Sequence, residues 1–298
     1  MKSWIKSFFR AALWALSYLW FQFPRRLVRS MGAFVGFLWI DLFRIRRDVI
    51  AENLRIAFPE WSDEERWRVG RASVYNMGRG FFELFSIPHL NMSWVERNVV
   101  FHGLDIYKNA LAKNKGVLLM SLHLGSGDVG TSALVMKGYP VSIITKLFRN
   151  EFVNDIWFSF RGAKGVRYID AHGPNNAFEI LKTLRRKEGL IFVVDQFMGR
   201  PFGIPTRFFG RETGSAYGLS LFALKTKAPV LPLYTFEGAD NKMHVVFENE
   251  VSIEDLVTDD KEATMLAMTQ RFNDRIEAII RQHPEQWMWV HRRWKEYE

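Results

Sequence analysis

Short apolar runs alternate with helical patterns from residue 104 onward, and this alternation is the feature that most limits the fold. The runs typical of buried strands are Val117–Leu122, Val141–Thr145, Val166–Ile169, Leu190–Val194, Val230–Phe236 and His244–Val251. The helical patterns are Leu104–Lys113, Asp128–Lys137, Asn150–Phe160, Asn176–Lys187, Gly214–Lys225 and Glu262–Gln282. Because strands that alternate with helices favour a parallel sheet covered on both faces, we predict an α/β fold with a mostly parallel central sheet flanked by helices.

Polar caps and breakers set the limits of the remaining elements. Ser62 stands three residues before Glu65, the spacing of a capping box, so a helix should begin there and continue to about Phe85. Asn150 is a candidate cap for the helix that follows it. The segment 197–214, rich in Gly, Pro and Arg, is expected to be a loop that leads into the helix at Gly214.

Two apolar, aromatic-rich segments open the chain. Residues 11–23 form the first and Met31–Phe43 the second, and Lys or Arg residues flank both. The first is shorter than the about 20 residues that a full bilayer span requires, so it favours a helix that lies in the bilayer interface or enters it obliquely. A core helix of a soluble protein is the alternative. We assign residues 1–47 to membrane-associating N-terminal helices and residues 48–298 to the α/β domain.

The charge balance and the absence of cysteine narrow the possible functions. Lys and Arg number 41 against 32 Asp and Glu, a net charge of +9, which favours an anionic partner. The 11 Trp and 26 Phe fit an anionic phospholipid membrane, and no recognisable nucleic-acid motif accompanies the basic residues. Without cysteine there is no thiolate metal site or cysteine nucleophile, and no other metal, nucleotide or serine-nucleophile motif is present. We expect catalysis without metal, cofactor or acyl-enzyme, and no nucleic-acid partner.

The strand Val117–Leu122 delivers an imidazole to its C-terminal end, where open α/β sheets form their sites. His123 is followed by a Gly-rich turn and then by Asp128. Such a turn can bring the carboxylate to one ring nitrogen and leave the other free as a general base. A structural histidine is the alternative. Asp195 and Gln196 also follow a buried strand, and backbone N–H groups of the turn are candidate oxyanion donors.

Several segments, in order along the whole chain, resemble the late acyltransferases of lipid A biosynthesis (lauroyl/myristoyl type), within the lysophospholipid acyltransferase superfamily. The segments are Arg46-Arg47, Asn53–Pro59, Gly116–Leu119 with His123-Leu-Gly125-x-x-Asp128, Arg149 with Arg161, Asp195-Gln196, Phe208–Gly210, Ala228–Pro232 and Pro284–Arg293. The chain differs at its turn, since many members carry bulkier residues, often Asn-Trp, at Ser126-Gly127 and Glu at Asp128. This difference bears on substrate choice more than on chemistry.

The resemblance implies a glycerolipid acyltransferase-like fold and a membrane-attached enzyme. The enzyme would move a fatty acyl chain from acyl carrier protein to a hydroxyl of a phosphorylated glycolipid, in particular a lipid A precursor, at the cytoplasmic face of a bacterial inner membrane. His123 and Asp128 would be the catalytic dyad. A lysophospholipid or other glycolipid acceptor, and a non-catalytic lipid-binding membrane protein, remain as alternatives.

Six further residues are candidates for substrate binding. Arg149 and Arg161 would bind phosphate, on the acceptor headgroup or on the phosphopantetheine of the donor, because a guanidinium fork matches phosphate oxygens. Asp195 and Gln196 would line the pocket. Arg211 and Thr213, beside the N-terminus of the helix predicted from Gly214, could form an anion cradle.

Overall fold

The computed structural model of the chain describes residues 3–297, and the side chains of residues 7–297. Its first part is helical throughout. The elements are α1 (Ser3–Phe21), α2 (Arg25–Phe37), a π-helical turn (Leu38–Leu42), α3 (Arg47–Ala57), α4 (Asp63–Leu84), a 3-10 turn (Ile87–His89) and α5 (Met92–Asn98). The capping box at Ser62 and Glu65 forms as predicted and fixes the start of α4. Pro24 is the N-cap residue of α2.

Strands and helices alternate over the rest of the chain. They are β1 (Val99–His102), α6 (Leu104–Ala112), β2 (Val117–Ser121), α7 (Gly127–Met136), β3 (Val141–Thr145), α8 (Glu151–Arg161), β4 (Arg167–Asp170), α9 (Asn176–Arg185), β5 (Gly189–Val193), β6 (Gly203–Phe208), β7 (Arg211–Ala216), α10 (Gly218–Thr226), β8 (Val230–Glu237), β9 (Met243–Phe247) and α11 (Lys261–Gln282). Short 3-10 turns lie at Glu254–Leu256 and Pro284–Gln286. Asn150 accepts hydrogen bonds from the backbone of residues 152 and 153 and so caps α8, as predicted.

One seven-stranded sheet forms the centre, in the order β1-β9-β8-β2-β5-β3-β4. Every neighbouring pair in it is parallel except β8 and β9. The predicted α/β fold with a mostly parallel central sheet is therefore confirmed. In β2 the residues Val117 to Met120 are fully buried, which suits a central strand covered by helices on both faces.

The predicted loop and helix between residues 197 and 225 are partly wrong. Residues 203–216 form an antiparallel hairpin, β6–β7, with Phe208 opposite Arg211, and the helix begins only at Gly218. Phe209 and Gly210 make the two-residue turn with φ of 49° and 74°. Two positive φ values in succession match the right-handed twist of a tight hairpin. Because a Phe occupies the first of these positions, the usual Asn-Gly or Gly-Gly signal was missing from the sequence.

The N-terminal helices pack on α4 through glycines. A Cβ on Gly32 of α2 would lie 2.5 Å from the carbonyl oxygen of Gly78 in α4, so the two backbones are in direct contact. In α1, Ser17 and Trp20 donate hydrogen bonds to carbonyl oxygens of residues 85 and 82. Within residues 3–297, no helix has both the length and the apolar character that crossing a bilayer requires. The domain boundary at residue 47 stays a prediction.

Candidate active site

The register between two neighbouring strands places His123 beside Asp195. Ser121 of β2 pairs with Val193 of β5 in the parallel ladder, so the residues two positions beyond each strand are also neighbours. Nδ1 of His123 lies 2.9 Å from Oδ1 of Asp195, and the backbone N–H of His123 donates to Oδ2 at 3.0 Å. The carboxylate therefore holds both the ring and the backbone of His123.

Buried hydrogen-bond donors keep Asp195 charged. Its side chain is 1% exposed, and the indole N–H of Trp287 donates to Oδ2 at 2.7 Å. Burial alone would raise the pKa of Asp195, but His123 and the N–H donors outweigh burial and lower that pKa to about 2. An ionised carboxylate accepts a hydrogen bond from the N–H of Nδ1, which leaves the lone pair of Nε2 free.

The electrostatics of His123 suit a base. Burial of the ring lowers its pKa, but the charge of Asp195 and the hydrogen bond to it have the larger combined effect, so the pKa of His123 is raised. The side chain of His123 remains 41% exposed, in contrast to its buried partner. Nε2 has no hydrogen-bond partner among the described residues, and it is therefore available to a bound molecule.

Asp128 does not make the contact predicted for it. Its Oδ1 accepts hydrogen bonds from Nε and Nη2 of Arg161, at 2.8 Å and 2.7 Å, whereas Nδ1 of His123 is occupied by Asp195. The reason is that Asp128 lies in the first turn of α7 and faces the end of α8, where Arg161 lies. Asp128 still acts on His123 through its charge, which helps to raise the pKa of that imidazole.

Three contacts hold the turn between His123 and α7 in place. Gly125 has φ of +57°, and a Cβ there would lie 2.7 Å from the carbonyl oxygen of Thr235. The hydroxyl of Thr235 donates to the carbonyl of Leu124 at 2.8 Å. Ser126 donates to the buried carboxylate of Glu83 at 2.5 Å. The turn is therefore preorganised, which an oxyanion site requires.

His123 lies at a cavity of about 250 Å³ with polar and apolar parts. His123, Asp128 and Arg161 supply its charged lining. Its apolar lining comes from α4, α7, α8 and the sheet, and includes Phe81, Leu84, Val129, Ile143, Trp157, Ile191 and Val193. A general base at the edge of an apolar cavity suits a reaction on a molecule with an aliphatic chain.

Similarity to known proteins identifies the family of the chain. The sequence profile of the family described as "Bacterial lipid A biosynthesis acyltransferase" matches residues 1–296. The chain belongs to this family. It is therefore an acyltransferase, as the resemblance of its motifs implied.

Three of the relatives illustrate the similarity. A lipid A biosynthesis palmitoleoyltransferase of Escherichia coli (strain K12) is 26% identical, over 98% of this chain and 91% of its own length. A lipid A biosynthesis acyltransferase of Haemophilus influenzae is 24% identical, over 96% and 85%. A phosphatidylinositol mannoside acyltransferase of Mycobacterium tuberculosis (strain ATCC 25618 / H37Rv) is 26% identical, over 75% and 69%.

The cavity beside His123 brings together some of the predicted substrate-binding residues. The amide nitrogen of Gln196 lies 3.5 Å from Nδ1 of His123, and Arg161 lines the same cavity. Arg149 is exposed in the loop before α8. Its predicted role in phosphate binding stays a prediction.

The predicted anion cradle of Arg211 and Thr213 does not form, because both residues lie in strand β7 rather than at a helix N-terminus. Thr213 is 1% exposed, and its hydroxyl donates to the carbonyl of Arg293 at 2.8 Å. Arg211 faces outward, with Nη1 3.4 Å from Glu52. Thr213 therefore has a structural role in anchoring the hairpin.

Sequence reasoning missed several residues that support the site. Trp287, 92 positions from Asp195 in the sequence, donates a hydrogen bond to it, and Glu83 fixes the turn that follows His123. His291 accepts a hydrogen bond from the backbone of Phe197, and burial lowers the pKa of His291 to about 4, so it is neutral near pH 7. The Trp-rich C-terminal motif was the only feature of the sequence that pointed to any of these residues. Among the described side chains, no cluster of three or more His, Asp or Glu is arranged to hold a metal ion.

Proposed function

We propose that the protein transfers a fatty acyl chain from acyl carrier protein to a hydroxyl of a phosphorylated glycolipid, a lipid A precursor. The observation that carries this proposal is the His123–Asp195 pair at the mouth of an apolar cavity in a chain of this family. The names of the relatives supply the class of acceptor. The net charge of +9 is compatible with an acidic carrier protein and with a phosphorylated acceptor.

In this reaction His123 is the general base. Nε2 removes the proton of the acceptor hydroxyl as its oxygen attacks the carbonyl carbon of the thioester. The new C–O bond forms, the C–S bond breaks, and the imidazolium returns its proton to the departing thiolate. Asp195 keeps the proton of His123 on Nδ1 and stabilises the imidazolium, and a positioned base of this kind contributes ~10²–10⁴-fold in rate. No covalent enzyme intermediate is needed, since a thioester is already activated and direct attack benefits from proximity.

The remaining groups at the cavity stabilise charge and hold the substrate. Backbone N–H groups of Gly125, Ser126 and Gly127 are the candidate donors to the tetrahedral oxyanion. Asp128 fixes the guanidinium of Arg161 in the cavity, and its charge helps to raise the pKa of His123. Arg161 and Arg149 would contact phosphate oxygens of donor or acceptor. The apolar lining of the cavity would receive the acyl chain.

We also propose that the N-terminal helices attach the enzyme to the cytoplasmic face of the inner membrane. Of the 23 exposed large apolar side chains in the described part of the chain, 14 lie in residues 8–45. We name this surface the N-terminal apolar face, defined by Phe8, Phe9, Leu16, Tyr18, Leu19, Phe23, Leu27, Met31, Phe34, Val35, Phe37, Leu42, Phe43 and Ile45. Exposed apolar side chains at this density, with Arg10, Arg26 and Arg44 among them, suit an anionic bilayer interface.

A second acceptor class has support from one comparison. The similarity to a phosphatidylinositol mannoside acyltransferase favours a different phosphorylated glycolipid as the alternative to a lipid A precursor. The His123 chemistry would be the same for both, because each acceptor offers a sugar hydroxyl.

One assay separates these possibilities. The purified full chain is incubated with a panel of acyl carrier protein thioesters and with tetra-acylated and penta-acylated lipid A precursors, a mannosylated phosphoinositide or a lysophospholipid, and the products are weighed by mass spectrometry. We expect one added acyl chain on a lipid A precursor and no product from the His123→Ala variant. If only another lipid is acylated, that lipid replaces the lipid A precursor as the proposed acceptor. Unchanged activity of His123→Ala would refute the mechanism.

A further inference from the structure

A second, more basic cavity lies beside the catalytic one. It measures about 700 Å³ and is formed by α2, α4, the end of α5 and the turn between β8 and β9. We call it the arginine cavity. Its cationic lining residues are Arg25, Arg26, Arg29, Arg79, Arg97 and Lys242, against the carboxylates of Glu237 and Asp240. A cavity with six cations and two anions in its lining attracts an anionic ligand.

Part of this positive charge is compensated and part is not. Arg25 and Arg29 share the two carboxylates of Glu83 and Glu237, with N–O distances from 2.6 to 3.3 Å. Arg79 makes no ion pair among the described residues and donates only to the amide oxygen of Asn76, at 2.6 Å. Burial, followed by the charge of Arg29, lowers the pKa of Arg79. Arg79 is therefore a half-buried cation with no direct ion pair among the described residues, although the charges of Glu237 and Glu83 act on it from a greater distance.

The first turn of α2 adds to the positive electrostatic potential of the arginine cavity. Helix N-termini favour acidic side chains because of the helix dipole and the unpaired N–H groups. The first turn of α2 has no acidic residue, and Arg25 and Arg26 open it instead. Arg25 is already paired with Glu83 and Glu237, but Arg26 makes no ion pair among the described residues. An anion bound in the cavity would offset the unfavourable interaction of the Arg26 charge with the helix dipole.

The arginine cavity is joined to the catalytic cavity through shared elements. Gln286 lines both cavities, and α4 presents Asn76 and Arg79 to one and Met77 and Gly80 to the other. Glu83 connects the arginines of α2 to Ser126 in the catalytic turn, with hydrogen bonds of 2.9 Å to Arg29 and 2.5 Å to Ser126. A headgroup bound among these arginines would therefore lie beside the cavity that His123 lines.

We propose that the arginine cavity binds a phosphate group of the acceptor's headgroup, with Arg79 as its principal partner. This inference rests on the proposed function and assigns a subsite to the acceptor. Arg161 lines the other cavity and is paired with Asp128, so it would contact a different phosphate of donor or acceptor. Helix α2 also carries Leu27, Met31 and Phe34 of the N-terminal apolar face. A lipid whose chains remain in a bilayer at that face would therefore place its phosphate close to the arginines of α2.

The test uses steady-state kinetics of the full chain with a bis-phosphorylated lipid A precursor and with the same lipid after removal of its phosphates. The variants are Arg79→Gln, Arg79→Lys and Arg185→Gln. Arg185 is exposed near the end of α9 and makes no ion pair among the described residues, so its substitution removes one positive charge elsewhere. Thermal unfolding of each variant shows whether the fold is intact.

We expect Arg79→Gln to raise KM for the phosphorylated acceptor about tenfold, the loss expected for one charge-assisted hydrogen bond. KM for the acyl carrier protein thioester and kcat should stay within about twofold of wild type. Arg79→Lys should recover most of the affinity, and Arg185→Gln should behave as wild type. With the dephosphorylated acceptor, wild type and Arg79→Gln should have the same KM, because the interaction is absent from both.

Other outcomes overturn the inference. An unchanged acceptor KM in a folded Arg79→Gln variant would refute it, and a raised KM for the donor alone would assign the cavity to the phosphopantetheine instead. If Arg79→Gln sediments less with anionic vesicles while its KM for the acceptor is unchanged, the arginine cavity binds headgroups of membrane lipids instead of the acceptor. If the wild-type protein does not acylate the lipid A precursor, the proposed function has failed, and that result is distinct from failure of the subsite.

Discussion

The carboxylate of Asp195 lies 2.9 Å from Nδ1 of His123 and also accepts the backbone N–H of the same residue. This pairing depends on β2 and β5 being parallel neighbours in one register. The orienting acid therefore comes from the adjacent strand rather than from the turn that follows the histidine. Asp128, the acid of that turn, positions Arg161. The cavity thus contains two charge pairs, and the charges of the second pair also act on His123.

Replacing Asp195 with Asn should lower activity and move the pH profile. The amide can donate to Nδ1, which would place the ring proton on Nε2 and remove the base, so we expect kcat/KM to fall about 10²-fold or more. The carboxylate raises the pKa of His123 because it favours the imidazolium. Without it the pKa falls, so the acidic limb of kcat/KM against pH should move to lower pH.

The control for this prediction is Asp259→Asn, which changes an exposed carboxylate near the start of α11 and should leave the profile unchanged. A wild-type pH limb in a folded Asp195→Asn protein would show that Asp195 does not set the pKa of the base.

Asp128 and Arg161 should be coupled in stability. Their side chains are 25% and 14% exposed, so removing one partner leaves a poorly solvated charge. We expect Asp128→Asn or Arg161→Gln alone to lower the free energy of unfolding by about 1–3 kcal/mol. The double variant should be less destabilised than the sum, by roughly 0.5–3 kcal/mol. Denaturant unfolding in detergent measures this cycle, and strict additivity would contradict the pair.

The N-terminal apolar face should determine attachment to lipid. Phe34 and Phe43 are 59% and 65% exposed, and charging both with Phe34→Glu and Phe43→Glu should weaken binding to anionic vesicles about tenfold or more. The matched control carries Phe178→Glu and Phe202→Glu, since these residues are 57% and 50% exposed but lie outside the N-terminal apolar face. Sedimentation with vesicles gives the readout. If both variants lose vesicle binding equally, the N-terminal apolar face does not determine attachment to lipid.

The contact between α2 and α4 should tolerate no side chain at Gly78. A Cβ there would collide with the backbone of Gly32, and overpacking of this kind costs about 1–3 kcal/mol. Gly78→Ala should therefore lower the unfolding temperature, whereas Gly127→Ala, whose Cβ meets nothing within 4 Å, should not. A stable Gly78→Ala protein would mean that α2 can shift away from α4 without loss.

Much of the fold was predictable from local pattern. The apolar runs at β2, β3 and β8 and the caps at Ser62 and Asn150 are properties of neighbouring residues, and each appears where the sequence placed it. The hairpin β6–β7 was not predictable, because its turn uses Phe209 at a positive φ and its strands depend on tertiary contacts. Buried Arg293 supports it through hydrogen bonds to Thr213, Gly214 and Ser215.

The sequence by itself determined that His123 and Asp195 each follow a buried strand, and hence that both lie at the same edge of a parallel sheet. Only the tertiary structure decided that these two strands are neighbours, that Asp195 binds Nδ1 and that Asp128 binds Arg161. The physical reason is the distance along the chain over which each kind of interaction acts. Periodicity and capping act within a few residues, whereas strand order and the choice of charge partner depend on contacts between residues 72 and 33 positions apart.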